Sequence, residues 1–519
     1  MTTGHSHWFA GAFVLACTAL GAFFRSYDAG GSLWLDELHT AWTVSDGIAD
    51  VLPRARMGHQ SPLFFWIEWC SVQILGPNEW ALRLPSLAAG IALIPLAAAV
   101  AFRWSRFAAA AAFASALVAT DYFCTWYAQD ARPYALVQLF GLLHVAAFLE
   151  LCQRPSWTWR LAFVLLSLVL FHLQYTSALL LAGELAFYGW MAWGRHRRPA
   201  YRPISLAFDL AVIAAGIVPV LPWLAATAAE RTNWAQFVPL PTSAAVIHLF
   251  PVTAYVVFPL LLAVMVNYGS NRLWLERTLS ENGRELALLA CWFVAPLAIA
   301  WLCTWLDVAR LFYRRYLMIC ALAPMLASAM LVARFSARSQ AAFIIAAATL
   351  SQIPLALATV QLTPAGGGSI RHYLLYGEFT SHAREDWRGA VNIVRTADSE
   401  DRLPVFVRSG LIESARLNER FDPALREYSL LPVTGIYSLD QPGRELLPLP
   451  PADRVQLTPQ QLDQLINRGG GWLILRGNFG IDRVAVDLLG DLTARGATAR
   501  LESRWNLRGV TVLRVEAGR

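Results

Sequence analysis

The long apolar runs of this chain decide what it can become. A helix that crosses a bilayer needs roughly 20 consecutive apolar residues. About eleven such runs precede residue 360, at 8–24, 81–102, 107–125, 133–152, 160–173, 176–193, 204–224, 245–267, 285–304, 316–333 and 340–360. In hydrocarbon every backbone polar group must find its partner within the protein, and consecutive helices do this segment by segment. The composition agrees. Hydrophobic residues make up 56% of the 519 and charged residues 15%, where soluble domains carry about 25% charged. Charges are sparse up to about residue 360 and dense beyond it. The sequence therefore predicts a polytopic α-helical membrane domain over 1–362 and a soluble α/β domain over 363–519.

Arginine placement sets the orientation. There is no lysine, so all 42 basic residues behind the net charge of +6 are arginine. Thirteen arginines fall in alternate short loops: Arg103 and Arg106; Arg154 and Arg160; Arg195, Arg197, Arg198 and Arg202; Arg272, Arg277 and Arg284; Arg334 and Arg338. The positive-inside rule makes that side cytoplasmic. The N-terminus is then inside and the tail outside, in the periplasm of a bacterial inner membrane or its equivalent. Arginine in short loops between spans is a topology signal rather than a nucleic-acid footprint, so no nucleic-acid partner is expected. The segment 8–24 has no basic region before it and no convincing cleavage site, so it reads as a first span rather than a removed signal. All seven cysteines lie in or beside apolar segments and none is in the tail, which argues against a disulfide framework or a zinc site.

The outer face carries the polar loops. The first, about 25–80, contains WLDELHTAW and then SPLFFWIEWCSVQIL, which holds Glu68 and reads as a helix lying in the interface. The tail follows the Gly-rich TPAGGGS. Its pattern reads as helix (383–397), strand (LPVFVRS), helix (458–467), strand (GWLILRG), helix (482–494) and two strands (ARLESRW, GVTVLRVE), an α/β alternation without a phosphate loop or nucleophile elbow.

Charged groups at the outer membrane edge need a reason, because burying them there is unfavourable. Asp36 and Glu37 are adjacent, so their carboxylates diverge on a regular backbone; one can face a cavity while the other caps or pairs. The ordinary alternative is a solvated helix start, against which Trp34, Leu35 and Leu38 argue. His59 and Gln60 precede SPLFFW, and a lone loop histidine is either structural, a hydrogen-bond donor or a metal ligand. Asp130, Arg132 and Tyr134 form QDARPY; Asp130 can cap the helix that follows, with Pro133 in its first turn, or the group can face a cavity. Arg310, Arg314 and Arg315 form ARLFYRRY, against the charge bias of that side. Clustered guanidinium groups suit phosphate through bidentate bonds, though arginines at an interface also snorkel. His172, Tyr175 and Glu184 are further polar groups near or within the spans.

Taken in order, WLDE, HQSPLFFW, GPNEWALRLPSLAAG, YAQDARPYAL and FYRRYL resemble the C-type membrane glycosyltransferases. More narrowly, the chain is similar to the bacterial branch of the protein O-mannosyltransferase superfamily, which includes the lipid A aminoarabinose transferases. The resemblance covers the chain to about 335 and, through REDWRGAVNIVR, loosely the tail. It implies transfer of a hexose or pentose from a polyprenyl-phosphate donor, with inversion, to an extracytoplasmic acceptor: lipopolysaccharide, a cell-envelope glycan or a protein hydroxyl. It implies that Asp36 is the catalytic base. Glu37, His59, Asp130, Arg132, Tyr134, Arg310, Arg314 and Arg315 are then substrate-binding candidates. One position departs from the pattern. A Glu-Lys pair before the Pro-Leu stretch in the aminoarabinose branch is His59-Gln60 here, which leaves a divalent cation, with His59 as its candidate ligand, an open expectation. The competing class is a transporter or flippase for a lipid-linked glycan. Such folds show internal repeats and charges near the midplane; this chain shows no repeat, and its charges lie at one edge.

Overall fold

The computed structural model describes residues 3–333 and 385–518 together with 342 and 345–347, apart from short stretches at 28, 195–197, 230–237, 239, 243–248, 251, 267–273, 399–402, 412, 415–416, 418–421, 451–456 and 478–480. Most of the expected span at 340–360, the hinge TPAGGGS and most of the outer loop AAERTNWAQF lie outside the described residues. Chain contacts divide the molecule into two compact units. One comprises Met1–Tyr27, Ala55–Ile67 and Arg83–Thr359; the other comprises Asp28–Arg54, Glu68–Leu82 and Val360–Arg519.

The first unit is a helical membrane bundle. Six described helices are long and apolar enough to cross a bilayer: Trp8–Ser26, Glu79–Ser105, Tyr134–Gln153, Pro203–Ala225, Asn282–Trp305 and Arg314–Val332. A seventh is bent by 59° between Ala108–Thr120 and Tyr122–Ala128. The remaining apolar runs are shorter helices, Trp157–Leu173, Leu179–Trp193 and Phe258–Val266. Among the described residues, each expected run before 334 contains helix, but several of these helices are too short or too broken to be counted as spans by length. Small residues let the helices approach. A Cβ at Gly183 would lie 2.8 Å from the Cys291 carbonyl oxygen, so the Leu179–Trp193 and Trp274–Trp305 helices meet nearly backbone to backbone. At one edge Arg160 grips Asp209 in a fork, at 2.9 and 2.6 Å.

The break in the 108–128 span has a cause in the sequence. Asp121 turns its Oδ1 onto the Cys124 N–H at 2.7 Å, starting a new helix. The carbonyls freed at the end of the preceding helix are taken by Arg25, whose Nη2 donates to Val118 at 2.8 Å and Nη1 to Ala119 at 3.3 Å. A straight helix is the expectation from hydropathy alone; two polar residues, one of them nearly a hundred positions away, change it.

The second unit contains a five-stranded sheet: β1 (Val405–Arg408), β2 (Leu446–Pro448), β3 (Gly470–Arg476), β4 (Thr498–Asn506) and β5 (Val510–Gly518), in the order β2-β1-β3-β5-β4. β1 runs parallel to β2 and β3, and β5 antiparallel to β3 and β4. The central β3 is buried almost throughout, as its unbroken apolar run requires, while the edge strand β4 alternates between exposed and half-buried residues. Helices Pro459–Asn467 and Ile481–Ala494 close the core through Leu462, Leu465, Val484, Leu488 and Leu492 against Leu473, Leu475 and Val515. The α/β tail expected from the pattern is present. Two elements were not visible in that pattern, the Pro423–Thr434 helix with Pro432 inside it and the three-residue β2.

Candidate active site

In the second unit, the acidic pair sits in the first turn of the Leu35–Thr43 helix. Glu37 is wholly buried, and its Oε2 accepts the Trp34 N–H at 3.2 Å, closing the helix start on itself. Asp36, one residue earlier, stays half-buried. The two carboxylates therefore differ in exposure, and Glu37 is committed to the cap.

That helix is fixed from the tail. Glu385 Oε2 accepts the Leu35 N–H at 3.1 Å and the Trp387 indole at 2.7 Å, while its Oε1 accepts Arg476 Nε at 2.6 Å. Tyr437 accepts the Leu33 N–H at 2.9 Å and donates to Glu79 Oε1 at 2.9 Å. Burial, together with Glu79, raises the Tyr437 phenol well above its ordinary range. The Trp42 indole donates to Glu427 at 2.9 Å, and Tyr428 sets its ring edge against both Trp42 and His39. Glu385, Glu427 and Tyr437 received no role from the sequence. Only the REDW string marked the first of them, and its partner Leu35 is 350 positions away.

Glu68 also belongs to this unit. It is fully buried, and both its carboxylate oxygens lack a hydrogen-bond partner among the described residues. Burial first, and the nearby Glu37 second, hold its pKa well above the usual carboxylate range.

In the first unit, Asp130, Arg132 and Tyr134 are all buried. The helix they precede begins at Tyr134 with Pro133 at its N-cap and no capping side chain, so Asp130 is not its cap. The Arg132 carbonyl accepts Ser86 Oγ at 2.8 Å. Tyr134 and Tyr127 meet edge to face with ring centroids 4.9 Å apart. Asp130, Arg314 and Arg315 all lie within electrostatic reach of the Tyr127 hydroxyl. Arg314 donates through Nε to the Leu249 carbonyl at 2.6 Å, and its guanidinium lies 4.1 Å over the Phe123 ring. Arg315 lies 5.0 Å over Tyr313. These residues form one polar and aromatic cluster from separate helices.

Two sequence candidates lie outside that cluster's described contacts. Arg310 turns to Asp307 at 3.0 Å and to the Val238 carbonyl at 3.1 Å. His59 is half-buried in a left-handed turn, with φ of 55°, and its N–H donates to Arg56 at 3.0 Å. Two residues on, Ser61 donates to the His172 carbonyl. Among the described residues no three His, Cys, Asp or Glu side chains gather as a metal-ligand set, around His59 or elsewhere. Glu184 is buried with His144 Nε2 3.5 Å from it, deep in the bundle.

Comparisons with known proteins agree with this architecture. Residues 59–223, about a third of the chain, match the family model described as dolichyl-phosphate-mannose-protein mannosyltransferase. That region includes His59, Asp130, Arg132 and Tyr134, and excludes Asp36 and the arginines at 310–315. No curated protein matches the chain in sequence. Among solved structures, ArnT from Cupriavidus metallidurans bound to undecaprenyl phosphate superposes with a TM-score of 0.54 at 13% identity, covering 99% of this chain and 98% of that one. Its apo form gives 0.53 at 15% identity over the same shares. The bundle, the bent helix and the α/β tail thus form a multi-pass membrane protein with a fold like that of ArnT.

Proposed function

We propose that this chain is an inverting membrane glycosyltransferase that moves a sugar from a polyprenyl-phosphate donor to an acceptor outside the cytoplasm. The acceptor is a hydroxyl or similar nucleophile of an envelope lipid, glycan or protein. The observation that carries the reading is the division of labour in the acidic pair: Glu37 is buried and spent on its own helix start, while Asp36 beside it keeps a partly exposed carboxylate. The fold shared with an undecaprenyl-phosphate-bound protein supports a polyprenyl-phosphate ligand for this chain as well.

The chemistry follows from the residue types. An acceptor hydroxyl is a poor nucleophile. Asp36 takes its proton as the oxygen attacks the anomeric carbon, an effect of about 10²–10⁴-fold. The bond from that carbon to the phosphate oxygen breaks, and the polyprenyl phosphate leaves with one more negative charge. Arginines placed in advance stabilise that charge as it develops; Arg132, Arg314 and Arg315 take this role, with Asp130 orienting a guanidinium or the sugar. Tyr134 and Trp34 offer faces for the sugar or the prenyl chain.

The test is transfer of radiolabelled sugar from its polyprenyl phosphate into acceptor by membranes containing the Asp36→Asn protein. Transfer falls by at least about 100-fold while insertion and yield match the parent. Full transfer by that variant removes Asp36 as the base. Label that crosses the membrane without joining an acceptor points to a transporter instead.

A further inference from the structure

Arg314 rests on two separate elements. Its Nε donates to the Leu249 carbonyl, and its guanidinium lies over Phe123 on the Tyr122–Ala128 helix. A polar contact joins the Tyr122–Ala128 helix to the segment that follows Leu249. Tyr255 sits in a turn of π-helix, Thr253–Val257, shortly after Leu249, and its hydroxyl donates to Asp121 Oδ2. The other oxygen of Asp121 accepts the Cys124 N–H at 2.7 Å and so starts the helix that carries Phe123. Both side chains are buried at the break of the span. Single π-turns tend to be kept where a site needs them, and a buried carboxylate inside a bundle calls for a role. Here the same carboxylate orients one support of Arg314 and ties it to the other.

We infer that Asp121 and Tyr255 are positioning residues that fix the Arg314 guanidinium for a phosphate ligand. This rests on the role given to Arg314 above. Neither residue touches the ligand. They set the distance between the Leu249 carbonyl and the Phe123 ring, and through these the direction of the guanidinium. A displacement of about 1 Å at such a group is enough to weaken a preorganised contact substantially. Arg25 backs the arrangement from the other side of the break by holding the Val118 and Ala119 carbonyls.

The test is the affinity of the full-length protein in detergent for undecaprenyl phosphate, in a double-mutant cycle. Arg314→Ala weakens binding by about ten-fold or more, and Tyr255→Phe by about three- to ten-fold. In the Arg314→Ala background, Tyr255→Phe changes nothing further, because it acts only through that arginine. Asp121→Asn stays near the parent, since an amide can still accept from Cys124 and donate to the Tyr255 oxygen; Asp121→Ala behaves like Tyr255→Phe. Equal weakening by Tyr255→Phe in both backgrounds makes the contact a general structural one and overturns the inference. An effect of Arg314→Ala with none from Tyr255→Phe overturns it too, and leaves the proposed function standing. No effect of Arg314→Ala removes that arginine's phosphate role and the inference with it.

Discussion

The two units hold their functional side chains by different means. In the membrane bundle, Arg25 and Arg314 rest on backbone carbonyls and, for Arg314, on an aromatic ring. In the unit of the first loop and the tail, carboxylates act as staples: Glu37 closes a helix start, Glu79 accepts from Arg388 and Tyr437, Glu385 takes three donors and Glu427 takes an indole. The difference frames the roles proposed for Arg314 and Asp36. In the bundle, the contacts described for Arg25 and Arg314 are with backbone carbonyls and, for Arg314, a ring. In the other unit, Glu37 is wholly buried while Asp36 beside it is half-buried.

The largest test of that contrast compares Asp36→Asn with Glu37→Ala. The first lowers transfer by at least about 100-fold with unchanged stability. The second lowers stability by about 0.5–2 kcal/mol, as loss of a helix-start acceptor does, and is read by thermal unfolding. If Glu37→Ala abolishes catalysis in a folded protein and Asp36→Asn does not, the assignment is inverted.

Glu385→Ala comes next. It strips the Leu35 N–H, the Trp387 indole and Arg476 of one shared acceptor, and breaking such a largely buried pair from one side removes about 3–5 kcal/mol. The melting temperature falls, and transfer falls with it because the helix bearing Asp36 loses its anchor. Glu385→Gln, which keeps an acceptor, recovers part of both. Unchanged transfer in Glu385→Ala would separate the tail from the acidic helix.

In the bundle the expected effects are smaller. Phe123→Leu keeps the apolar volume but removes the ring under Arg314. Such a contact contributes about 0.5–2 kcal/mol, so donor affinity and maximal turnover both drop several-fold, since Arg314 is assigned to the charge that develops on the leaving phosphate.

The smallest effect is one of pH. Glu68 is protonated over a wider range when folded, since burial and Glu37 raise its pKa. The folded state then binds more protons than the unfolded chain, and stability falls as pH rises from near the ordinary glutamate value through the raised one. Glu68→Gln flattens that slope and raises the melting temperature at neutral pH. A steeper slope in the variant would contradict the assignment.

These contacts also explain what could be read from the chain beforehand. The longer spans and the longer tail strands are local signals, each an unbroken or alternating apolar run, and are legible as such, whereas the three-residue β2 is not. QDARPY and ARLFYRRY were visible as odd charges at a membrane edge, but hydropathy gave no way to see that Arg310 turns to Asp307 while Arg314 meets Phe123. The break at Asp121 was hidden for the same reason, because Arg25, Asp121 and Tyr255 come together only in the folded bundle. The tie from Glu385 to Leu35 spans 350 positions, and no local pattern announces a bond of that length.

The central claim is covalent transfer of a sugar from a polyprenyl phosphate. It is tested most directly by mass spectrometry of envelope lipids, glycans and proteins from a deletion strain carrying either the parent gene or its Asp36→Asn form. One sugar modification is restored by the parent and stays missing with the variant, while the polyprenyl-phosphate sugar accumulates. Restoration by both forms, or an envelope unchanged by the deletion, would contradict the account.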